Sequence, residues 1–304
     1  MPTAYNSDKI GFGEEHRDAT FMNSRKFLIF LFLSNIFFIL VGDLIGGAVG
    51  VYFFLVLLVF IDVIALFYAD RTILSQFKAK PMRGHELDSV KPLVKSLTDK
   101  LSINMPDLYI IDEAVPNAFV VQLFHKRGAI AVTSGLLETF SRGELTSVLA
   151  YCVAHLYDRD AYVNTASAMI GNSFSGLAFI DYTTFFLQDK SNPPKVIHKR
   201  IMAIFAPIAS WVIRRIYSPA MTLDADRKAE ELCEHSGGLI AALEKAEAAK
   251  QKQGAILNAE FCPSSAHVFF ISPLKDPVLT KIFAILPTTA ERIERLKQTA
   301  NKPD

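Results

Sequence analysis

The chain lacks a dominant charge. Its 32 Lys and Arg stand against 31 Asp and Glu, a formal net charge of +1 over 304 residues. That balance implies no polyanionic partner, and nucleic acid is not expected as one. Cysteine is scarce: Cys152, Cys233 and Cys262 are odd in number and far apart. A disulfide framework and a C-x-x-C site are excluded, and reduced thiols in a cytosol-facing domain are expected. There is no internal repeat, Gly-rich phosphate loop or basic-aromatic stripe. A cleaved signal peptide is not expected either, because the first apolar run starts late and no A-x-A site follows it. What the chain has in excess is apolar: 51% of its residues are hydrophobic, 24 are Phe, and mean hydropathy is positive. That exceeds a typical soluble domain and points to a lipid bilayer.

Residues 1–24 are polar and aperiodic, as in a solvated tail. Residues 25–70 then hold two apolar runs, 27–42 (FLIFLFLSNIFFILVG) and 45–68 (IGGAVGVYFFLVLLVFIDVIALFY). A crossing takes about 20 residues, so the second run suffices and the first is a little short. With Asp43 in the tight connection, the pattern predicts a transmembrane hairpin, and Asp62 should face protein or headgroups. Arg25 and Lys26 precede the hairpin, while Arg71, Lys78, Lys80 and Arg83 follow it. The positive-inside rule places both ends in the cytoplasm. Residues 71–304 form the remaining domain, with candidate membrane segments at 161–187 and 201–213. A second hairpin would carry Lys190, Lys195, Lys199 and Arg200 outward, against that rule.

Helical periodicity runs through 86–100, with Leu87, Val90, Leu93, Val94 and Leu97. Three short apolar runs follow at 107–111, 116–121 and 128–133, and they suggest a small antiparallel sheet. Residues 218–234, 239–250 and 289–298 read as helices, the first closed by Gly237-Gly238. The class is therefore α+β, mostly helical.

Residues 141–160 (SRGELTSVLAYCVAHLYDRD) read as one amphipathic helix and the centre of the domain. Ser141 and Glu144 form a capping box, and Leu145, Val148, Leu149, Cys152 and Leu156 make a buried stripe. Tyr151 and His155 share the edge of that stripe. A zinc peptidase of the His-Glu-x-x-His type keeps its two histidines at this spacing, so that both reach one ion while the Glu polarises bound water. Here the window reads Tyr151-Cys152-Val153-Ala154-His155, and one ligand of the pair is left.

Several stretches together resemble the HtpX-type membrane zinc metallopeptidases, relatives of the CaaX prenyl proteases. Pro116-Asn117-Ala118-Phe119 resembles the family's P-N-A-F, and Ala131-Val132-Thr133-Ser134-Gly135-Leu136-Leu137 its A-V-T-x-G-L-L. Ser141-Arg142-x-Glu144-Leu145 is similar to S-R-x-E-L, with Asp160 at the family's Asp after the second His. Ala225-Asp226 resembles the end of E-x-x-A-D. Ala266-His267-Val268-Phe269 and Pro287-x-Thr289-x-Glu291-Arg292-Ile293 are similar to A-H-L-F and H-P-P-T-x-E-R-I.

The resemblance implies a gluzincin-like domain facing the cytoplasm on membrane helices. It also implies a zinc held by His-Glu-x-x-His and a later Glu. Position by position, the first His falls on Tyr151, the catalytic Glu on Cys152, the second His on His155 and the third ligand on Thr222. The auxiliary His falls on Leu286. No zinc and no catalytic residue are therefore expected; Tyr151, His155 and Asp226 are the remnants. Asp226 would accept a hydrogen bond from Tyr151, or pair with a nearby Arg or Lys. A rebuilt ligand set with Cys233 and His235 is disfavoured, since Cys233 lies about 16 Å beyond Thr222 along a helix. Cys152 reads as a core thiol rather than a nucleophile paired with His155. An edge strand at Ala129, Ile130, Ala131, Val132 and Thr133, with Asn117, Ala118 and Phe119, is expected to bind extended polypeptide by strand addition. The expected function is a membrane pseudopeptidase that binds unfolded or membrane polypeptides, or an active paralogue, in membrane-protein quality control. An active zinc metalloendopeptidase with a non-standard site and a structural membrane scaffold are the alternatives.

Overall fold

The computed structural model describes residues 36, 38–57, 60, 71–122, 128–176, 207, 209–211, 213–233, 237–253 and 263–300. The polar tail, most of the first apolar run, Asp62, the segment 177–206, Glu234, His235 and Cys262 lie outside them.

Helix α1, Phe38–Leu57, is long and apolar enough to cross a membrane by length and composition. Leu40, Leu44, Ile45, Val49, Tyr52, Phe53 and Val56 are all exposed. The run is not a straight rod. Gly47 has φ +55°, and a Cβ on Gly50 would lie 2.0 Å from the Gly42 carbonyl oxygen. Positions 42 and 50 of a straight helix would be about 12 Å apart. Glycine is needed at both ends of this approach and at the left-handed position between them.

The domain runs β1 (Lys80–Pro81), α2 (Gly84–Leu101), β2 (Asp107–Ile111), β3 (Ala118–Val121), β4 (Ala129–Thr133), α3 (Ser134–Thr139), α4 (Arg142–Tyr157) and α5 (Asp160–Gly176). It continues with α6 (Pro219–Leu232), α7 (Gly238–Gln253), a 3-10 turn (Pro263–Val268), α8 (Pro277–Ile282) and α9 (Thr289–Ala300). The domain is mostly helical around a small sheet, as the periodicity predicts.

The sheet departs from expectation in two ways. Its order is β1-β2-β4-β3, and β2 and β4 run parallel, so it is mixed rather than antiparallel. Ala129–Thr133 is therefore an interior strand, not an edge: β2 pairs with one side of it and β3 with the other. The physical reason lies in burial. Val120, Ile130 and Val132 face one core cluster, and Phe119, Val121 and Ala131 face the other. Strands covered on both faces are continuous apolar runs and tolerate parallel pairing.

The outer side of β3 is also occupied. Phe270 N donates to Ala118 O at 2.7 Å, and Phe119 bridges Phe269. Asn117 Nδ2 donates to Ile271 O at 2.9 Å, while its Oδ1 accepts from Ala118 N and Ile271 N. Phe77, Phe119 and Phe269 stack in one group, with centroids 4.8 to 5.6 Å apart. The expected polypeptide edge at Asn117, Ala118 and Phe119 is thus covered by the chain's own 269–271. At the opposite end, β1 has two residues and one is a proline, which lacks the donor a strand ladder needs.

Asn117 is fully buried and clamps two segments. Asn117→Ala should lower stability by about 2–4 kcal/mol, because the Ile271 and Ala118 backbone groups lose their partners. Chemical unfolding of detergent-purified protein checks this.

Candidate functional site

Ser141 caps α4 as predicted: its Oγ accepts from Glu144 N at 3.4 Å, and the Glu144 carboxylate accepts from Ser141 N at 2.6 Å. The helix is shorter than expected. It ends at Tyr157, Arg159 takes φ +60°, and α5 starts at Asp160. Nor is it amphipathic beyond its first turn. Every residue from Ser147 to Leu156 is buried, because β3, α2, α5, α6 and α7 all pack on α4.

Helix α6 starts on Ser218, whose Oγ accepts from Ala220 N, with Pro219 in its first turn. It packs on α4 and carries Thr222 and Asp226, one turn apart, both fully buried. The C-terminal helix α9 supplies Arg292. Its Nε donates to Asp226 Oδ2 at 2.7 Å and its Nη2 to Asp226 Oδ1 at 2.6 Å. Arg292 Nη1 donates to the Phe270 carbonyl. Burial opposes the Arg292 charge, but the Asp226 carboxylate outweighs it and holds the guanidinium above its usual range. Asp226 thus pairs with an arginine, one of the two partners left open by the sequence, and not with Tyr151.

Tyr151 lies beneath that pair. The Arg292 guanidinium carbon is 4.9 Å from its ring centroid. Its ring meets His155 edge-on at 4.6 Å and Phe270 at 5.2 Å. Burial pushes its phenol well above the ordinary value. Cys152 has no exposed surface and packs in the apolar cluster, and burial pushes its thiol up to about 12. His155 Nδ1 is buried and 3.7 Å from Asp160 Oδ2, longer than a hydrogen bond. The Thr222 hydroxyl bonds the Tyr217 hydroxyl.

A second polar row continues from Tyr217. Its ring is 5.4 Å from His267, whose Nε2 is 2.7 Å from Ser167 Oγ and 3.2 Å from Asn164 O. Burial lowers His267 to about 4, against backbone hydrogen bonds that act the other way. Lys228 on α6 pairs with Asp158 at the end of α4 and lies 4.7 Å from the Tyr157 ring centroid.

The structure therefore brings Tyr151, His155, Thr222 and Asp226 into one α4–α6 neighbourhood. Cys233 ends α6, with its N–H bonded to the carbonyls of Ala229 and Glu230. Sequence reasoning did not single out Arg292, Tyr217 or the Ser167–His267 contact. A signal existed for Arg292: it lies four residues before Leu296, on the inward face of an otherwise charged helix.

The site is thus a long buried helix carrying Tyr151 and His155, packed against a helix carrying Thr222 and Asp226 beside a small mixed sheet. A family model described as Peptidase family M48 matches residues 85–300, and the chain belongs to that family. Within it the relatives are of HtpX type. Protease HtpX of Legionella pneumophila (strain Lens) is 31% identical over 279 residues, covering 91% of this chain and 99% of that protein. A Protease HtpX homolog of Persephonella marina is 30% identical over 284 residues, covering 92% and 99%. The crystal structure of S. mikatae Ste24p matches with 16% identity and a TM-score of 0.47, covering 93% of this chain and 67% of that one.

Two outcomes follow from this geometry. Tyr151→Phe should change stability by less than about 0.5 kcal/mol, since no bond joins it to Asp226. Arg292→Met should cost about 3–5 kcal/mol by stranding a buried carboxylate, and adding Asp226→Leu should recover part of that loss. Unfolding of the three variants in detergent measures both. The pH response is set in part by His267. Its folded value lies below the ordinary 6.5, so the unfolded chain binds the proton first as pH falls. Its contribution is complete above about pH 6.5 and is lost towards about pH 4, at most about 3 kcal/mol. His267→Asn should flatten the stability profile over that interval.

Proposed function

We propose that this protein is a membrane-anchored pseudopeptidase: an HtpX-type M48 fold that acts by binding and not by zinc-dependent hydrolysis. The observation that carries the reading is the donor set at the family's ligand positions. Catalytic zinc takes three protein ligands and an open water position. By the family resemblance, those positions fall on Tyr151, His155 and Thr222, and the general-base position on Cys152. Tyr151 keeps its proton through burial, and the Thr222 hydroxyl is engaged by Tyr217. The Cys152 thiol is packed among aliphatic side chains and stays protonated at neutral pH. A permanent cation, Arg292, stands over Tyr151. These groups do not fit a zinc ion, and no hydrolytic step is derived through one.

The exposed apolar surface of α1 supports anchoring in a bilayer. The left-handed Gly47 and the close approach of Gly42 and Gly50 support a turn within this apolar run, as a hairpin requires. Membrane or unfolded polypeptides, or an active paralogue, are the partner class. Contact with them does not use strand addition on Ala129–Thr133, which is an interior strand.

Metal analysis of detergent-purified protein, expressed with zinc and never exposed to chelator, tests the reading. The expected result is zinc well below one equivalent per chain and no chelator-sensitive cleavage of an unfolded casein-like substrate. One tightly held zinc, lost on His155→Ala, together with chelator-sensitive cleavage, would overturn it.

A further inference from the structure

Trp211 is the chain's single tryptophan and is 57% exposed. The described residues 209–211 and 213–216 around it are helical and come just before α6. Ala209, Ser210, Ile213 and Ile216 among them are buried in the domain. Trp211, Arg214 and Arg215 are exposed and lie at i, i+3 and i+4, so they share the outward face. The Arg215 guanidinium is 5.3 Å from the Trp211 ring centroid.

Helix α8 extends the same face. Ser210 Oγ donates to Ile282 O at 2.5 Å, and Arg214 Nη2 donates to that carbonyl at 3.4 Å. Both bonds tie the end of α8 to the Trp211 segment. Helix α8 buries none of its residues. Val278 is 65% exposed, and Lys275 and Lys281 are exposed on either side of it. The acidic group here, Asp276, is engaged locally: its Oδ1 accepts from Val278 N and Leu279 N. The face thus presents two large apolar side chains among four cations and the one Asp276 carboxylate, a net positive surface.

Its occupant must match both features. An acyl-chain surface alone would leave the cations desolvated, and a purely polar anion would leave Trp211 and Val278 unused. The boundary of an anionic bilayer satisfies both, since indole rings settle at headgroup level and Lys and Arg reach the phosphates. The sequence has the same order: apolar residues 201–209, then Trp211, then Arg214 and Arg215. We propose that Trp211, Arg214, Arg215 and α8 form a docking face for anionic lipid headgroups. Trp211 and Val278 dip into the interface, and Arg214, Arg215, Lys275 and Lys281 lie against the phosphates. The inference rests on the membrane anchoring proposed above, but not on the state of the zinc site.

The single tryptophan makes the test direct. The full chain is reconstituted into vesicles of phosphatidylcholine alone or with phosphatidylglycerol. Trp211 emission is then read with lipids brominated high or low in the acyl chain, and with aqueous iodide. With phosphatidylglycerol, emission should shift to the blue, and shallow bromine should quench at least about twofold more than deep bromine. The variant Arg214→Gln/Arg215→Gln/Lys281→Gln should lose the phosphatidylglycerol-dependent part while still floating with the vesicles. A relocated probe, Val278→Trp in a Trp211→Phe background, should show the same shallow quenching. Water-like emission with full iodide access, or quenching that ignores both phosphatidylglycerol and the charge variant, would overturn the docking face. A blue shift produced by polyglutamate and not by vesicles would overturn it in favour of an acidic protein partner. Failure of the unmodified chain to float with vesicles would instead overturn the membrane anchoring itself.

Discussion

One buried ion pair constrains the rest of the domain. Asp226 and Arg292 are both withdrawn from water, and each Asp226 oxygen receives one guanidinium donor. A charge buried without its partner costs several kcal/mol, so neither residue can tolerate the other's displacement. The pair therefore fixes α6 against α9. Through Arg292 Nη1 it also fixes the carbonyl of Phe270, and through the Tyr151 ring it reaches α4. Four segments, around residues 151, 226, 270 and 292, are held at one point. This is why α9, charged along most of its length, is part of the core and not a loose tail.

The same point governs the sheet. Phe270 hands its carbonyl to Arg292 and its N–H to Ala118, so the ion pair and the covering of β3 share one residue. Asn117 then binds both the N–H and the C=O of Ile271, as a neighbouring strand would. An incoming polypeptide would have to displace 269–271, and with it part of the shell around Arg292. The closure of the strand edge and the burial of the ion pair are one structural fact.

What could be read from the sequence was local. The capping box, the start of α6 at Ser218-Pro219 and the three strands are set by side chains within a few residues, and each stands where periodicity put it. The extent of α4's burial could not be read this way, because five other elements decide it. Sheet order was hidden for a related reason: short apolar runs look alike whether parallel or antiparallel once both faces are covered. The Asp226 partner was a choice between Tyr151 and a basic residue. Only the fold, which brings position 292 to position 226, decides between them. The break at Arg159 had no warning, as Arg has no preference for the left-handed turn it adopts.

The residues at 151, 152 and 222 are physically consistent with one another. A glutamate at 152 would sit where Cys152 has no contact with water, and one at 222 would lie beside an ion pair already satisfied by its own carboxylate. Without a cation to neutralise them, both would be buried charges that the core could not support. Tyr, Cys and Thr are neutral, and each fits its surroundings: Tyr151 packs its ring on His155, Phe270 and Arg292, Cys152 fills apolar space, and Thr222 bonds Tyr217. On the proposed reading, a core once organised about an ion is organised about Arg292 and Asp226 alone. On that same reading, the neutral residues at 151, 152 and 222 support the domain's stability, because each is satisfied where it is buried.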